Sequence, residues 1–349
     1  MQNPHNSKKN PKVPAGTLPH SSRGNVRWGI AGTGGVSRQI TADFSFMDNA
    51  EVVAVSSRHA SSAREFADTF GIPTSFVDYI KMLDSDIDAV YIGTPHVTHF
   101  ELAREALKRG RHVLCEKPIG LNAAEVRELA AIAAESGAFL MEAMWMKFNP
   151  LYLRLREIVD AGAIGEIRSI RSSFGAPFQR DDSSRWKPGG STLLDQGIYP
   201  VTLSHMFLGE PSGITAAGIV EGNAVDLSQN YTLNYPRGRF AQGASSMVNF
   251  LDQSASLCGT GGWITIDTGF WFASQFTLHR FSVEDGETTE TYETTREGNG
   301  YVPMLREVTA AILNGDAEHP LHTMDEAART FDTMDEIRRQ IMITGKVTP

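Results

Sequence analysis

The chain has 349 residues, with 41 acidic against 32 basic side chains and a net charge of −9, and its length is about twice that of a typical ~150-residue domain. Hydrophobic residues make up 41% and charged residues 21%, a balance that excludes wholesale disorder, a collagen-like chain and a coiled coil, while the acidic surplus argues against a nucleic-acid partner. No stretch supplies the ~20 uninterrupted apolar residues of a membrane helix, and the two cysteines, Cys115 and Cys258, are too few for a disulfide scaffold or a zinc cluster, so buried reduced thiols and a cytoplasmic location are expected.

Residues 1–24 are rich in Pro, Ser, Asn, Lys and Gly and show no apolar periodicity. Such a segment buries too little surface to offset chain entropy, and a disordered tail is expected there. From Val26 the pattern changes. VRWGIAG, EVVAVSS, AVYIGTP, HVLCEKP and FLMEAM are short apolar runs ending near Gly, Ser, Pro or a polar residue. ITADF, ASSAREFADTF, HFELAREALKRG and NAAEVRELAAIAAESG lie between them with helical periodicity, the last opening on the capping pair Asn122 and Glu125. Strands alternating with helices imply βαβ units, a parallel sheet buried on both faces and right-handed crossovers. Residues 25–144 therefore read as a doubly wound, dinucleotide-type Rossmann domain.

Residues 145–349 read as an α+β domain. LYLRLREIVDAG is helical; EIRSIRSSF, GITAAGIV, QNYTLNY, RFAQGASSMVNF, SASLCGT, GWITID and QFTLHRFS are strand-like. No long helix separates the later runs, which predicts a large, mostly antiparallel open sheet. Two helical patterns close the chain. In the second, Met324, Phe331, Met334, Ile337 and Ile341 fall near one face behind a Thr323/Glu326 capping box, and this helix is positioned to pack back on the first domain.

Gly32-Thr33-Gly34-Gly35-Val36-Ser37 follows the first strand and fits G-x-G-x-x-[small]. Gly32 allows a tight turn, Gly34 lets backbone approach a pyrophosphate, and a small Ser37 permits close helix–strand packing. The following helix would aim free N–H groups and its positive end at the phosphates. At the end of the second strand, where an NAD-binding chain usually carries a carboxylate for the ribose hydroxyls, stand Ser57 and Arg58. Ser57 can donate to a 2′-phosphate and Arg58 can fork onto it, so NADP(H) is the expected cofactor; the alternative is an arginine lying in solvent.

Cys115-Glu116-Lys117-Pro118 ends the strand HVLC. Ligands of open α/β sheets sit beyond the carboxyl ends of strands, which would put Lys117 beside a nicotinamide and its substrate; taken alone, the pattern also describes a surface lysine. In Gly189-Gly190-Ser-Thr-Leu-Leu-Asp195-Gln-Gly197-Ile-Tyr199, a helix would put Asp195 and Tyr199 on one face at i, i+4. Pro200 would then have to sit in a first turn or a kink. An ordinary polar pair on a half-buried helix remains open.

GIAGTGG, TPHVTH, CEKP and LLDQGIY, in that order, resemble the glucose–fructose oxidoreductase/inositol dehydrogenase family over nearly all of residues 25–349. FLMEAMW and the D-x-G-x-Tyr form are most similar to its dimeric dihydrodiol dehydrogenase and NADP-dependent sugar dehydrogenase branch; much of the family has His where this chain has Tyr199. The resemblance implies that Lys117 is the active-site lysine, that Asp195 is the helix carboxylate holding substrate hydroxyls or orienting Lys117, and that Tyr199 exchanges a proton with the substrate oxygen. An unperturbed tyrosine titrates near ~10, and a neighbouring ammonium is expected to lower that value. Thr94, Pro95, His96 and His99 match T-P-x-x-x-H and are expected to border the cofactor with Glu116. His96 and His99 have metal-like spacing without a third ligand, so no metal is expected. Trp145 and Phe174 match aromatic positions lining the substrate pocket, with core packing as the alternative. Arg185, Trp186 and Lys187 resemble a loop over the active site, Trp186 on the cofactor side and Arg185 on the substrate side. The family also implies a homo-oligomer, dimer or tetramer, formed through the exposed face of the second sheet. The expected reaction is NADP(H)-dependent oxidoreduction at the CH–OH of a sugar, polyol or trans-dihydrodiol, a small-molecule substrate. A non-catalytic nucleotide-sensing regulator and a nicotinamide-dependent glycosidase are the alternatives.

Overall fold

The computed structural model describes residues 24–284 and 286–345, so the tail expected over 1–24 lies, apart from Gly24, outside the described residues. The chain runs β1 (Val26–Ala31), α1 (Gly35–Asp43), β2 (Ala50–Ser56), α2 (Ala60–Phe70), β3 (Thr74–Phe76), α3 (Tyr79–Leu83), β4 (Ala89–Ile92), α4 (His99–Lys108), β5 (His112–Cys115), α5 (Ala123–Ser136) and β6 (Leu140–Glu142). These strands form one parallel sheet in the order β3-β2-β1-β4-β5-β6. The order reverses between β1 and β4, and a crevice opens there beyond the strand carboxyl ends. Three loops reach it: the glycine turn after β1, Thr94–His96 after β4 and Glu116–Lys117 after β5. α5 starts where its cap predicts, the Asn122 side chain accepting from Glu125 N at 3.0 Å and Glu125 Oε2 accepting from Leu121 N at 2.7 Å. It ends at left-handed Gly137.

The chain continues through α6 (Pro150–Asp160), β7 (Ile167–Gly175), α7 (Ile198–Leu208), β8 (Gly213–Val220), β9 (Asp226–Tyr235), β10 (Arg239–Ser246), β11 (Ala255–Gly259), β12 (Gly262–Ile266), β13 (Gln275–Ser282), β14 (Gly286–Glu293), α8 (Val302–Asn314) and α9 (Met324–Thr344). The second sheet has the order β14-β13-β12-β11-β7-β10-β9-β8. Only the β7–β10 pairing is parallel, so the sheet is mostly antiparallel, as its closely spaced strands predict. Two strands and a helix departed from the sequence pattern. β3 is three residues long at a sheet edge, α3 is a single short turn of helix, and β14 (GETTETYE) is almost wholly exposed and carries no apolar alternation.

One large core cluster joins the α4/α5 face of the parallel sheet to the inner face of the second sheet. α9 lies in that seam with Met324, Phe331, Met334, Ile337 and Ile341 buried, and Thr323 Oγ1 caps it by accepting from Glu326 N at 3.2 Å. It also ties back to the first sheet's helices, Asp335 accepting from Ala123 N at 2.9 Å and Arg338 donating to Leu121 O at 2.6 Å. A second cluster covers the other face of the parallel sheet, where Tyr301, Met304, Leu305 and Val308 meet Trp28, Ile30 and Val55. Cys115 is buried, while Cys258 is only half-buried because β11 turns it toward the sheet's open face.

Candidate active site

The glycine turn follows from steric limits. Gly32 has φ +99°, and a Cβ there would lie 2.8 Å from the Gly93 carbonyl oxygen. Gly34 and Gly35 face open space, which leaves their backbone approachable at the start of α1. Ser37 is buried, and its Oγ donates to Gly93 O at 3.2 Å; this is the close helix–strand contact that a larger residue would break. Thr33 Oγ1 reaches Ser57 Oγ at 3.3 Å, and Arg58 is exposed beside it with no ion pair among the described residues.

From this turn a groove of about 240 Å³ runs past Val36, Thr94, Pro95 and His96 to Glu116 and Lys117, with Ser183–Arg185 on the opposite wall. His99 lies beneath, its Nδ1 and Nε2 against the carbonyls of Pro118 (2.8 Å) and Thr94 (2.7 Å). His96 Nε2 sits 2.8 Å from Gly189 O and so ties the loop after β4 to the loop that precedes Asp195. The Lys117–Pro118 peptide is cis. At Val36, Glu116, Lys117, Arg185 and Asp195 the groove merges with a second cleft of about 430 Å³. That cleft also holds Tyr199, Trp145 and Phe174, so residues far apart in sequence converge on one space.

Asp195 and Tyr199 do not lie on one regular helix. Leu193–Gly197 form a π turn that passes directly into α7, and Pro200 falls in the first turn of α7. Such turns recur at functional sites. Lys117 Nζ donates to the main-chain oxygen of Asp195 at 2.6 Å and to its Oδ1 at 2.9 Å. Arg185 Nη2 donates to Oδ2 at 3.2 Å, and its guanidinium stacks 3.8 Å over Phe178. Burial opposes the Asp195 anion, but Lys117 and Arg185 outweigh it and hold the carboxyl well below the usual range. Burial likewise opposes the Lys117 ammonium, and Asp195, Tyr199 and Glu116 overcome it, so the lysine stays charged.

Tyr199 is 4% exposed. Lys117 Nζ is 5.1 Å from its ring centroid, and Trp145 Nε1 donates to its hydroxyl at 2.8 Å. The expectation of a lowered phenol value is corrected here: burial pushes Tyr199 up to about 12, and the lysine only offsets part of it. The reason is geometric, since the ammonium is spent on Asp195 and stands over the ring instead of bonding the oxygen. Glu116 accepts from Tyr91 Oη at 3.0 Å, and burial raises its carboxyl to about 7.

Trp186 is not brought to the cofactor groove. Its ring is buried in a separate small cluster with Val225 and Met247, its Nε1 donating to Gln179 O at 3.2 Å. The sequence reading also missed part of the cleft wall. Trp271 stacks on Phe174 at 3.5 Å, Tyr301 stacks on Trp145 at 4.7 Å, and Arg296 and Asn299 stand at the rim. The one available signal was aromatic and glycine density between strands, in Gly-Phe-Trp-Phe (269–272) and Gly-Asn-Gly-Tyr (298–301).

Comparison with known proteins agrees with this architecture. Residues 26–144 match the "Oxidoreductase family, NAD-binding Rossmann fold", and residues 152–265 match the "GFO/IDH/MocA C-terminal domain". The chain is 32% identical over 329 residues to trans-1,2-dihydrobenzene-1,2-diol dehydrogenase of Xenopus tropicalis, covering 91% of this chain and 99% of that one. Against the Mus musculus protein of the same name it is 33% identical over 333 residues, covering 91% and 98%. Among solved structures, the 3-ketoreductase KijD10 of Actinomadura kijaniata, in complex with NADP and TDP-benzene, superposes with a TM-score of 0.83 at 27% identity, covering 93% of this chain and 100% of that one. The chain therefore belongs to the GFO/IDH/MocA family and is an NAD(P)-dependent oxidoreductase.

Proposed function

We propose that this protein uses NADP(H) to oxidise or reduce a CH–OH/C=O pair on a sugar, polyol or trans-dihydrodiol, with Tyr199 exchanging the proton and Lys117 and Asp195 setting the charge around it. One observation carries the reading. Lys117, from the end of β5, and Tyr199, from the start of α7, meet in a cleft continuous with the glycine-turn groove. The dihydrodiol dehydrogenase relatives and the NADP-bound ketoreductase support the substrate class and the cofactor.

The residues present fit a dinucleotide. Gly32–Val36 would take the pyrophosphate at the start of α1, Ser57 and Arg58 the 2′-phosphate, and Thr94–His96 with Glu116 the nicotinamide end; when bound, that ring supplies the hydride chemistry. The protein's own part is proton transfer and orientation. A phenol held near 12 is protonated at neutral pH, which suits it to give its proton to a carbonyl oxygen as reduction proceeds. In oxidation it receives the hydroxyl proton, and the Lys117 ammonium over its ring stabilises the phenolate required. Asp195 keeps the ammonium in place with two of its own oxygens. The Phe174–Trp271 stack and Trp145 offer flat apolar walls for a ring.

A screen of aldoses, polyols and trans-dihydrodiols with NADP⁺, read at the nicotinamide absorbance band, tests the proposal. Turnover with at least one class and a preference for NADP⁺ over NAD⁺ is expected; nucleotide binding with no turnover would overturn it in favour of a sensor. Self-association through the open face of the second sheet belongs to the same reading, and elution as a monomer at micromolar concentration counts against it.

A further inference from the structure

Asp43, the last residue of α1, is 0% exposed and faces no cation within ion-pair distance among the described residues. It also sits at a helix C-terminus, where the macrodipole disfavours an anion. Three N–H donors from one short segment hold it. Asn299 N (2.8 Å) and Asn299 Nδ2 (2.9 Å) donate to Oδ1, and Tyr301 N (2.9 Å) donates to Oδ2. Gly298, at φ +58°, lies so close that a Cβ there would be 2.4 Å from Oδ1. The segment is thus moulded onto this carboxylate.

Beyond that anchor the Tyr301 ring stacks on Trp145 with centroids 4.7 Å apart and planes 21° apart, and the Trp145 indole N–H donates to the Tyr199 hydroxyl. A phenol oxygen carries one proton and can accept hydrogen bonds through its lone pairs. With an indole donor on the oxygen, the phenol's own proton must point elsewhere, and Lys117 bonds Asp195 instead of competing there. We propose that Trp145 is a positioning residue that turns the Tyr199 O–H toward the substrate oxygen, and that Asp43 holds Trp145 in register through Tyr301. The inference rests on the reading of Tyr199 as the proton-transfer group. It gives α1 two tasks, since the helix opens on the phosphate turn and closes on the brace beneath the phenol.

The test combines a structural and a kinetic arm. The indole N–H resonance of Trp145, one of five tryptophans, is assigned by its loss in Trp145→Phe. It is then followed in Tyr199→Phe and Asp43→Asn by ¹H–¹⁵N NMR. In both variants it should move upfield and exchange faster with water, with NADP affinity within about twofold of the parent. Should Asp43→Asn fail to fold, Tyr301→Leu removes the stack instead and carries the same expectation. Kinetically, Trp145→Phe should lower kcat about tenfold, with KM changed less than about twofold. The high-pH inflection of kcat/KM should move upward, because the indole donor favours the phenolate; the other charged or titratable groups around Tyr199 are Lys117, Glu116, Asp195 and Tyr301. An indole resonance indifferent to Tyr199→Phe, or an unaltered kcat and pH inflection in Trp145→Phe, overturns the Trp145 role. An unchanged resonance in both Asp43→Asn and Tyr301→Leu overturns the Asp43 role. The NMR arm requires no turnover, so failure of the functional reading would show itself separately, as a parent enzyme inactive on every substrate class.

Discussion

The Lys117 ammonium is bound twice by Asp195, once through the main-chain carbonyl at 2.6 Å and once through the carboxylate at 2.9 Å. The carbonyl belongs to a π turn, and five residues further on stands Pro200, which has no N–H to return to it. The lysine takes up this carbonyl together with the carboxylate, and its charge is fixed on the cleft wall, over the face of Tyr199.

Tyr199→Phe keeps the ring and its packing but removes the exchangeable proton. Turnover should fall by about 10²–10⁴-fold, while nucleotide affinity, measured by fluorescence titration, stays within about twofold.

Lys117→Met should also reduce turnover sharply. It leaves Asp195 with Arg185 as its remaining cation, so the loss of stability should stay at about 1–3 kcal/mol, measured by urea unfolding. Near-normal turnover in this variant would refute the role given to the lysine.

Two glycines of one turn should respond differently to alanine. At Gly32 the positive φ and the carbonyl of Gly93 make any Cβ strained, and a stability loss of about 1–3 kcal/mol is expected. Gly34 has φ −73° and open space around it, so Gly34→Ala should leave the melting temperature nearly unchanged and still weaken nucleotide binding by crowding the phosphate approach.

This glycine turn, the parallel pairing of the first sheet and the Asn122 and Thr323 helix caps were legible because each is a local pattern with a single steric or periodic cause. β14 was not, because a strand exposed on both faces has no apolar alternation to display. Trp186 looked like a ligand contact from its loop setting, yet the partners that bury its ring, Val225 and Met247, lie far along the chain. Tyr301 and Trp271 enter the cleft through loops whose placement depends on long-range contacts such as Asp43 to Asn299. The phenol's acidity was misjudged for a related reason. Sequence can place a charge beside a tyrosine, but the degree of burial that opposes ionisation belongs to the finished fold.

Cofactor choice should turn on the end of β2. Ser57→Asp puts a carboxylate where a 2′-phosphate would sit, and the ratio of kcat/KM for NADP to that for NAD should fall at least tenfold, by repulsion of the one and new hydrogen bonds to the ribose of the other.

Glu116 should leave a mark on stability as a function of pH. Its folded value, about 7, lies above that of an exposed carboxylate. Between the two values the folded protein holds a proton that the unfolded chain releases, so stability falls as pH rises through that window, by on the order of 3 kcal/mol in total. Asp195, displaced the other way, acts only at more acid pH. Glu116→Gln should flatten the decline in denaturant titrations between pH 5 and 7, on the order of the window just given.

The covering of the parallel sheet by α8 bears on how the protein comes into being. Trp28, Ile30 and Val55 are encoded near the beginning of the chain, but Met304, Leu305 and Val308, which shield them, come near its end. During synthesis the nucleotide-binding half emerges first with one flank bare, and it can be completed only after the entire second sheet has left the ribosome. A fragment ending at residue 144 would keep that flank exposed and should aggregate unless α8 is supplied in trans.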